Sequence, residues 1–200
     1  QPLRVLLPLD NPEMRNAMSD EMTSAWVAAV AEPAADRSVR AVVVTGEGSA
    51  FCSGGNTSWI ASEPHATVDQ LRSRMLPFYR AWLSIRRLEV PTIAALNGHA
   101  IGAGLCLALA CDIRYAASGA RLGVPFLRLG MHAGMAGTFL LPNVVGPAHA
   151  RDRGQQQADC HPGAIDTGRT ADHGSQAVRF DQRTGGRGER RRPGVGHVAV

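Results

Sequence analysis

The segment from Pro91 to Ala110 restricts the possible folds more than any other. A short apolar run, Pro91-Thr92-Ile93-Ala94-Ala95-Leu96, ends at Asn97-Gly98. A glycine-rich stretch, His99-Ala100-Ile101-Gly102-Ala103-Gly104, follows. The chain then continues in small and aliphatic residues to Ala110. The first run reads as a buried strand and Gly104–Ala110 as a buried helix. The same grammar occurs earlier. Val39 to Thr45 (VRAVVVT) is a β-branched strand closed by Gly46, and Ala50-Phe51-Cys52-Ser53-Gly54-Gly55-Asn56 reads as a second glycine-rich turn.

Other elements fit around this pair. Arg4–Leu9 is a short strand candidate. Met22, Ala25, Trp26 and Ala29 recur at helical spacing from Ser19 to Ala31, with Ser19 or Asp20 as the cap. Gln70 to Leu88 reads as a long helix interrupted at Pro77. Strands alternating with helices predict an α/β domain over residues 1–150.

The glycine-rich turns also carry chemical meaning. Small residues let backbone N–H groups approach a ligand without side-chain obstruction. A helix N-terminus adds oriented donors and a dipole that favours negative charge. Two such turns facing each other make a two-donor hole for an oxygen that gains charge. Either turn taken alone reads better as a tight turn with close packing.

Residues 151–200 have a different character. They contain no Leu, Met, Trp or Tyr, and carry nine Arg against six acidic residues. Such a stretch buries too little apolar area to offset its chain entropy, so it is expected to be a disordered tail. It also supplies most of the net charge of +4, leaving the first 150 residues near neutral. Arg-Gly mixtures can bind single-stranded nucleic acid, but that mode wants interleaved aromatics. Phe180 is the only one here, so nucleic acid is an unfavoured partner. The chain has no Lys, a bias expected of G+C-rich coding sequence.

No apolar run is long enough to span a bilayer, and no export signal is visible. The chain begins at Gln1, so its recorded start is expected to lie inside a longer protein. Cys52, Cys106, Cys111 and Cys160 show no metal-ligand pairing and no disulfide spacing, which points to reduced thiols in a cytoplasm.

Three motifs in order, AFCSGG-N, then PTIAALNGHAIGAGLCLALACDIRYAA, then GVPFLRLGMHAGMAGTFLLPNVVG, resemble the crotonase (enoyl-CoA hydratase/isomerase) superfamily. The earlier LDNPEMRNAMSDEM matches its N-terminal region, so the resemblance covers about residues 4–150. It implies a β-β-α spiral, a homotrimer or a dimer of trimers, a coenzyme A thioester as substrate, and no permanently bound cofactor. It also implies that two backbone amides polarise the thioester carbonyl. By position these are Gly55, beside Ser53 and Gly54 in the first turn, and Ala103 in the second. Each such donor is typically worth about 2.7–4 kcal/mol in the transition state. Arg15 falls where the family places basic residues near the CoA phosphates.

The departures are as informative. The family's hydratases use two glutamates for proton transfer. This chain has Cys106 and Phe126 at those positions. Neither can take a carboxylate's part near neutral pH, so a competent hydratase is not expected. His132 borders the implied site and has a side chain suited to proton transfer. His99 is expected to face away, Asp112 to support a strand turn, and Asn56 to weaken a contact made by the family's usual Asp. Beyond about Arg151 the family's helical C-terminal pattern stops, as a truncated or frame-shifted reading would produce. The expected functions are acyl-CoA chemistry resting on the amide pair, a non-catalytic acyl-CoA binder, or an inactive remnant.

Overall fold

A computed structural model describes residues 3–56 and 65–151. The expectations of a disordered, frame-shifted or RNA-binding tail fall on residues outside that range.

The first strand, β1 (Leu3–Leu9), lies parallel to β2 (Val39–Gly46), with Leu6 opposite Val43 and Leu7 opposite Val44. β2 also pairs with β4 (Thr92–Leu96), placing Val42 against Thr92. β4 pairs with β6 (Ile113–Ala116), Ala94 against Arg114. These strands form a four-stranded sheet in the order β1-β2-β4-β6. Three short strands form a second sheet: β3 (Ala50–Cys52), β5 (His99–Ile101) and β7 (Leu122–Gly123), in the order β3-β5-β7. All these pairings are parallel.

The helices are α1 (Asp20–Ala35), α2 (Val68–Trp82), α3 (Ala103–Ala110) and α4 (Gly137–Val145). The repeat is therefore strand, strand, helix. β2, β3 and α2 make one turn, β4, β5 and α3 the next, and β6, β7 and α4 the third. Each turn gives its first strand to the larger sheet and its second to the smaller. This is the α/β spiral that the motifs imply.

The sequence reading needs correction in three places. Ala50–Cys52 and His99–Ile101, which read as turns in the sequence, are two of the three strands of the second sheet. At three residues each they are too short to show a period. α1 runs on to Ala35 through Pro33. The segment expected to be one helix over 70–88 does not break at Pro77, which lies within α2. It tightens instead after Trp82 into a 3-10 turn, Leu83–Arg87. Trp82 and Ile85 are both fully buried, and a 3-10 turn keeps positions three apart on one face.

The core centres on α3, all eight residues of which are buried. A helix apolar on every side belongs inside a protein. Around it pack Phe51, Cys52, Phe78, Trp82 and Leu140. Trp82 stacks on Trp26 with ring centroids 4.9 Å apart, and its indole N–H donates to Thr23 Oγ1 at 2.9 Å.

Asp112 ties β6 to β4, as its expected structural role requires. Its Oδ2 accepts from the Thr92 amide at 2.8 Å and from the Thr92 hydroxyl at 2.7 Å. The hydroxyl bond is the largest influence holding the Asp112 carboxyl below its usual range. Because the folded value is depressed, the contribution is full above the unfolded value near 3.8 and is lost as pH falls through the folded one. The stability gap between wild type and Asp112→Asn is therefore expected to shrink on acidification below about pH 4. Urea unfolding of both proteins across that range checks this, and a gap that widened would reverse the assignment.

Candidate functional site

The site is assembled from three backbone segments, beginning with residues 11–18. Asn16 is fully buried, with φ of 56°. Its Oδ1 accepts from the Asn11 amide at 2.8 Å. Its Nδ2 donates to Glu47 O at 2.9 Å, Ala50 O at 2.8 Å and Phe51 O at 3.3 Å. The Cys52 thiol donates back to Asn16 O at 3.0 Å. One amide side chain thus clamps this loop onto β3. Asn tolerates left-handed backbone better than most residues, which is the local signal that sequence reading passed over.

The clamp brings the loop against the first glycine-rich turn. The Ser53 amide donates to Arg15 O at 2.9 Å, the Ser53 hydroxyl to Met14 O at 3.2 Å, and the Met18 amide to Gly54 O at 2.8 Å. Arg15 therefore stands beside Ser53 and Gly54, with its side chain exposed.

The second turn packs directly on the first. Gly54 has φ of 99°, and a Cβ there would lie 2.7 Å from Ile101 O and 3.3 Å from the Ala103 nitrogen. Gly104 sits so close to β3 that a Cβ would lie 2.4 Å from Cys52 O. Only hydrogen fits at either position. Ala103 opens α3, where N–H groups lack intrahelical acceptors. Among the described residues no group accepts from the Gly55 or Ala103 N–H. The space in front of Gly55 is open, since a Cβ there would meet no described atom within 4 Å.

The third segment is the loop from Val124 to Gly137. Phe126 lies between the second turn and the start of α4: its ring would be 3.9 Å from a Cβ on Gly102 and 3.9 Å from one on Gly137. Cys106 Sγ would be 3.2 Å from that Gly137 Cβ, and it approaches Gly134 O at 3.8 Å. The structure therefore brings Cys106 and Phe126 together, one helical turn into α3 from Ala103. Cys106 is fully buried, and burial pushes its thiol up to about 12. Burial also pushes the Cys52 and Cys111 thiols up to about 12. All three are expected to resist iodoacetamide at pH 8 and to label once urea unfolds the chain. Peptide mass analysis checks this, and labelling of Cys106 in the folded protein would contradict its burial.

His132 sits on this third segment and His99 on β5, each with a local backbone contact. His132 is exposed, its Nδ1 3.0 Å from Ala133 O. His99 is exposed on β5 and its Nδ1 accepts from the Arg121 amide at 2.9 Å. Tyr79 of α2 is a group the sequence reading missed. Its hydroxyl lies over Gly134, where a Cβ would be 2.2 Å from Oη. A cleft of about 270 Å³ lies at the other end of α3, lined by Thr92, Cys111, Asp112, Arg114 and Phe139, and does not reach this site. Among the described residues no three His, Cys, Asp or Glu side chains are grouped to hold a metal ion. No helix among them is long and apolar enough to cross a membrane.

Residues 5–158 match the family model for enoyl-CoA hydratase/isomerase. A probable enoyl-CoA hydratase of Mycobacterium tuberculosis is 41% identical over 146 residues, covering 73% of this chain and 56% of its own length. One from Mycobacterium leprae is 36% identical over 172 residues, covering 80% and 58%. The crystal structure of an enoyl-CoA hydratase from a Polaromonas species superposes with a TM-score of 0.69 at 33% identity, over 76% of this chain and 60% of that one. A probable enoyl-CoA hydratase/isomerase from Mycobacterium abscessus gives 0.66 at 36% identity, over 76% and 58%. The chain thus spans a little over half the length of the relatives it matches. With its strand-strand-helix spiral, its paired glycine-rich turns and this match over most of its length, the chain belongs to the enoyl-CoA hydratase/isomerase (crotonase) family.

Proposed function

We propose that this chain binds an acyl-CoA thioester and polarises its carbonyl between the Gly55 and Ala103 amides. The observation that carries this reading is the pair of unengaged N–H groups on two turns packed against each other through Gly54. Negative charge that develops on the carbonyl oxygen is stabilised by both donors and by the N-terminus of α3. Arg15 is exposed on the segment hydrogen-bonded to Ser53, which supports a role for its guanidinium toward the CoA phosphates, and Ser53 and Gly54 belong to the same turn. Assembly as a homotrimer or hexamer belongs to this reading. Exposed Leu127, Leu129 and Phe139 favour burial against further protein.

Hydration by two carboxylates is not part of it. Cys106, held protonated by burial, and Phe126 occupy the positions that would need carboxylates. Thioester recognition without efficient water addition is the expected outcome. Titration calorimetry of the full chain with butyryl-CoA should show saturable binding, and Gly55→Pro, which removes one donor, should weaken it. Crotonyl-CoA hydration should run below about 1 s⁻¹, the low end of the usual enzyme range. Failure to bind butyryl-CoA would overturn the recognition reading. Fast hydration would overturn the view that the carboxylates are indispensable.

A further inference from the structure

The segment between β7 and α4 makes its hydrogen bonds with itself. The Phe126 amide donates to Val124 O at 2.8 Å, and the Gly130 amide to Leu127 O at 3.0 Å. The Leu129 and Met131 amides both donate to Phe126 O at 3.0 Å. At the far end the Gly137 amide returns to Gly134 O at 2.9 Å, and Ala136 O accepts from the Phe139 and Leu140 amides as α4 begins. Among the described residues, one polar contact joins 125–136 to the body of the protein. It is the long approach of the Cys106 thiol to Gly134 O, at 3.8 Å.

Apolar contact holds the segment instead. Leu127 and Leu129 are exposed, but Met135 is 1% exposed and belongs to the core. The half-buried Phe126 ring lies against Gly102, the residue before Ala103. The backbone works against this closed position. Met135 and Ala136 are successive left-handed residues, with φ of 48° and 54°, and neither is glycine. That conformation crowds Cβ against the following carbonyl oxygen. The corner cannot shift sideways to relax, because Gly134 sits so close to Tyr79 that a Cβ would lie 2.2 Å from Oη. Burial of Met135 and strain at the same residue therefore oppose each other.

We propose that residues 125–136 form a flap, latched by the Met135 side chain and loaded by the left-handed corner, which opens as a unit to admit ligand beside Ala103. Opening breaks no backbone hydrogen bond to the body and relieves the strain. It exposes Met135 and lifts Phe126 from the second turn. Segments with few ties to the body open locally, without unfolding of the whole. Ligand admission rests on thioester recognition at Gly55 and Ala103; the opening itself does not.

Arg128 lies exposed in the middle of the flap and offers a trypsin site. Assembly over Leu127 and Leu129 would hold the flap shut, so the full chain is digested at a dilution where light scattering shows a monomer. Cleavage after Arg128 should change little in low urea, because local opening exposes little surface. Ala136→Gly keeps the corner and removes its strain, and should slow this cleavage about fivefold. Met135→Ala removes the latch and should speed it about tenfold or more. Cleavage that rises with urea as steeply as global unfolding overturns the flap. An Ala136→Gly rate equal to that of wild type overturns the loading by strain. In stopped-flow mixing, butyryl-CoA should associate with Ala136→Gly more slowly, by the same factor as the cleavage. Unchanged association beside slowed cleavage overturns the gating role. Absence of butyryl-CoA binding by wild type overturns thioester recognition and the gating with it, while the cleavage rates still decide the opening.

Discussion

Replacing Gly104 with alanine is expected to lower stability by about 2–3 kcal/mol and to weaken butyryl-CoA binding at least tenfold. Alanine is the better helix former, by about 1 kcal/mol, so propensity alone predicts a gain. The packing predicts otherwise. The new methyl would stand 2.4 Å from Cys52 O and 2.7 Å from Cys52 Cβ. Neither neighbour is the end of a flexible side chain. α3 is buried on every side and cannot retreat without disturbing Trp82 and Leu140. Overpacking of this kind typically costs about 1–3 kcal/mol, and more against backbone. Displacing α3 from β3 also moves the Ala103 amide away from Gly55, so recognition fails along with stability. Equilibrium urea unfolding and calorimetry read the two effects separately. A variant more stable than wild type would mean that the close approach of α3 and β3 is not limiting.

Asn16→Ala is expected to cost more, about 3–5 kcal/mol. It removes a donor from Glu47 O, Ala50 O and Phe51 O and leaves the Asn11 amide unmatched. Each buried polar group left without a partner costs about 1–3 kcal/mol. The sum is not additive, because Ala50 O keeps a longer bond from Asn97 Nδ2 at 3.4 Å. Backbone strain adds to the loss, since φ of 56° suits Asn and Gly better than Ala. Asn16→Gly separates the two contributions. It should recover about 1 kcal/mol relative to Ala while losing the same hydrogen bonds. Denaturation midpoints of the three proteins check this ordering. Equal stability of the Ala and Gly variants would show that strain contributes nothing.

How far the sequence foretells this site depends on the kind of residue involved. β2 and β4 are legible because Val42, Val44, Ala94 and Leu96 are buried strand residues in continuous apolar runs. α3 is legible because an all-apolar segment has nowhere to go but inside. β3 and β5 are not, because three residues leave no pattern and their identity comes only from partners far along the chain. Asn16 and Tyr79 are illegible for a related reason. Each matters through contacts with distant residues: Asn16 with Ala50 and Phe51, Tyr79 with Gly134. Cys106 and Phe126 stand out in the sequence only against a family expectation. The structure adds that both lie against Gly137, with the thiol held neutral by burial.

The alternation of strands between the two sheets has a consequence for how the chain acquires its shape. The Thr45 hydroxyl reaches the Ala95 carbonyl across fifty positions, and β1 cannot pair until β2 has been reached beyond α1. Among the described strands, β1 and β2 alone are consecutive neighbours, with α1 between them; every other ladder skips at least one strand. Every ladder must therefore close a long loop before any contact repays it, which places the chain among slow folders. On the ribosome, β2 has no partner on its second edge until β4 emerges. During that interval a row of valines, Val42 to Val44, is open to strands of other molecules, the exposure by which slowly folding chains aggregate.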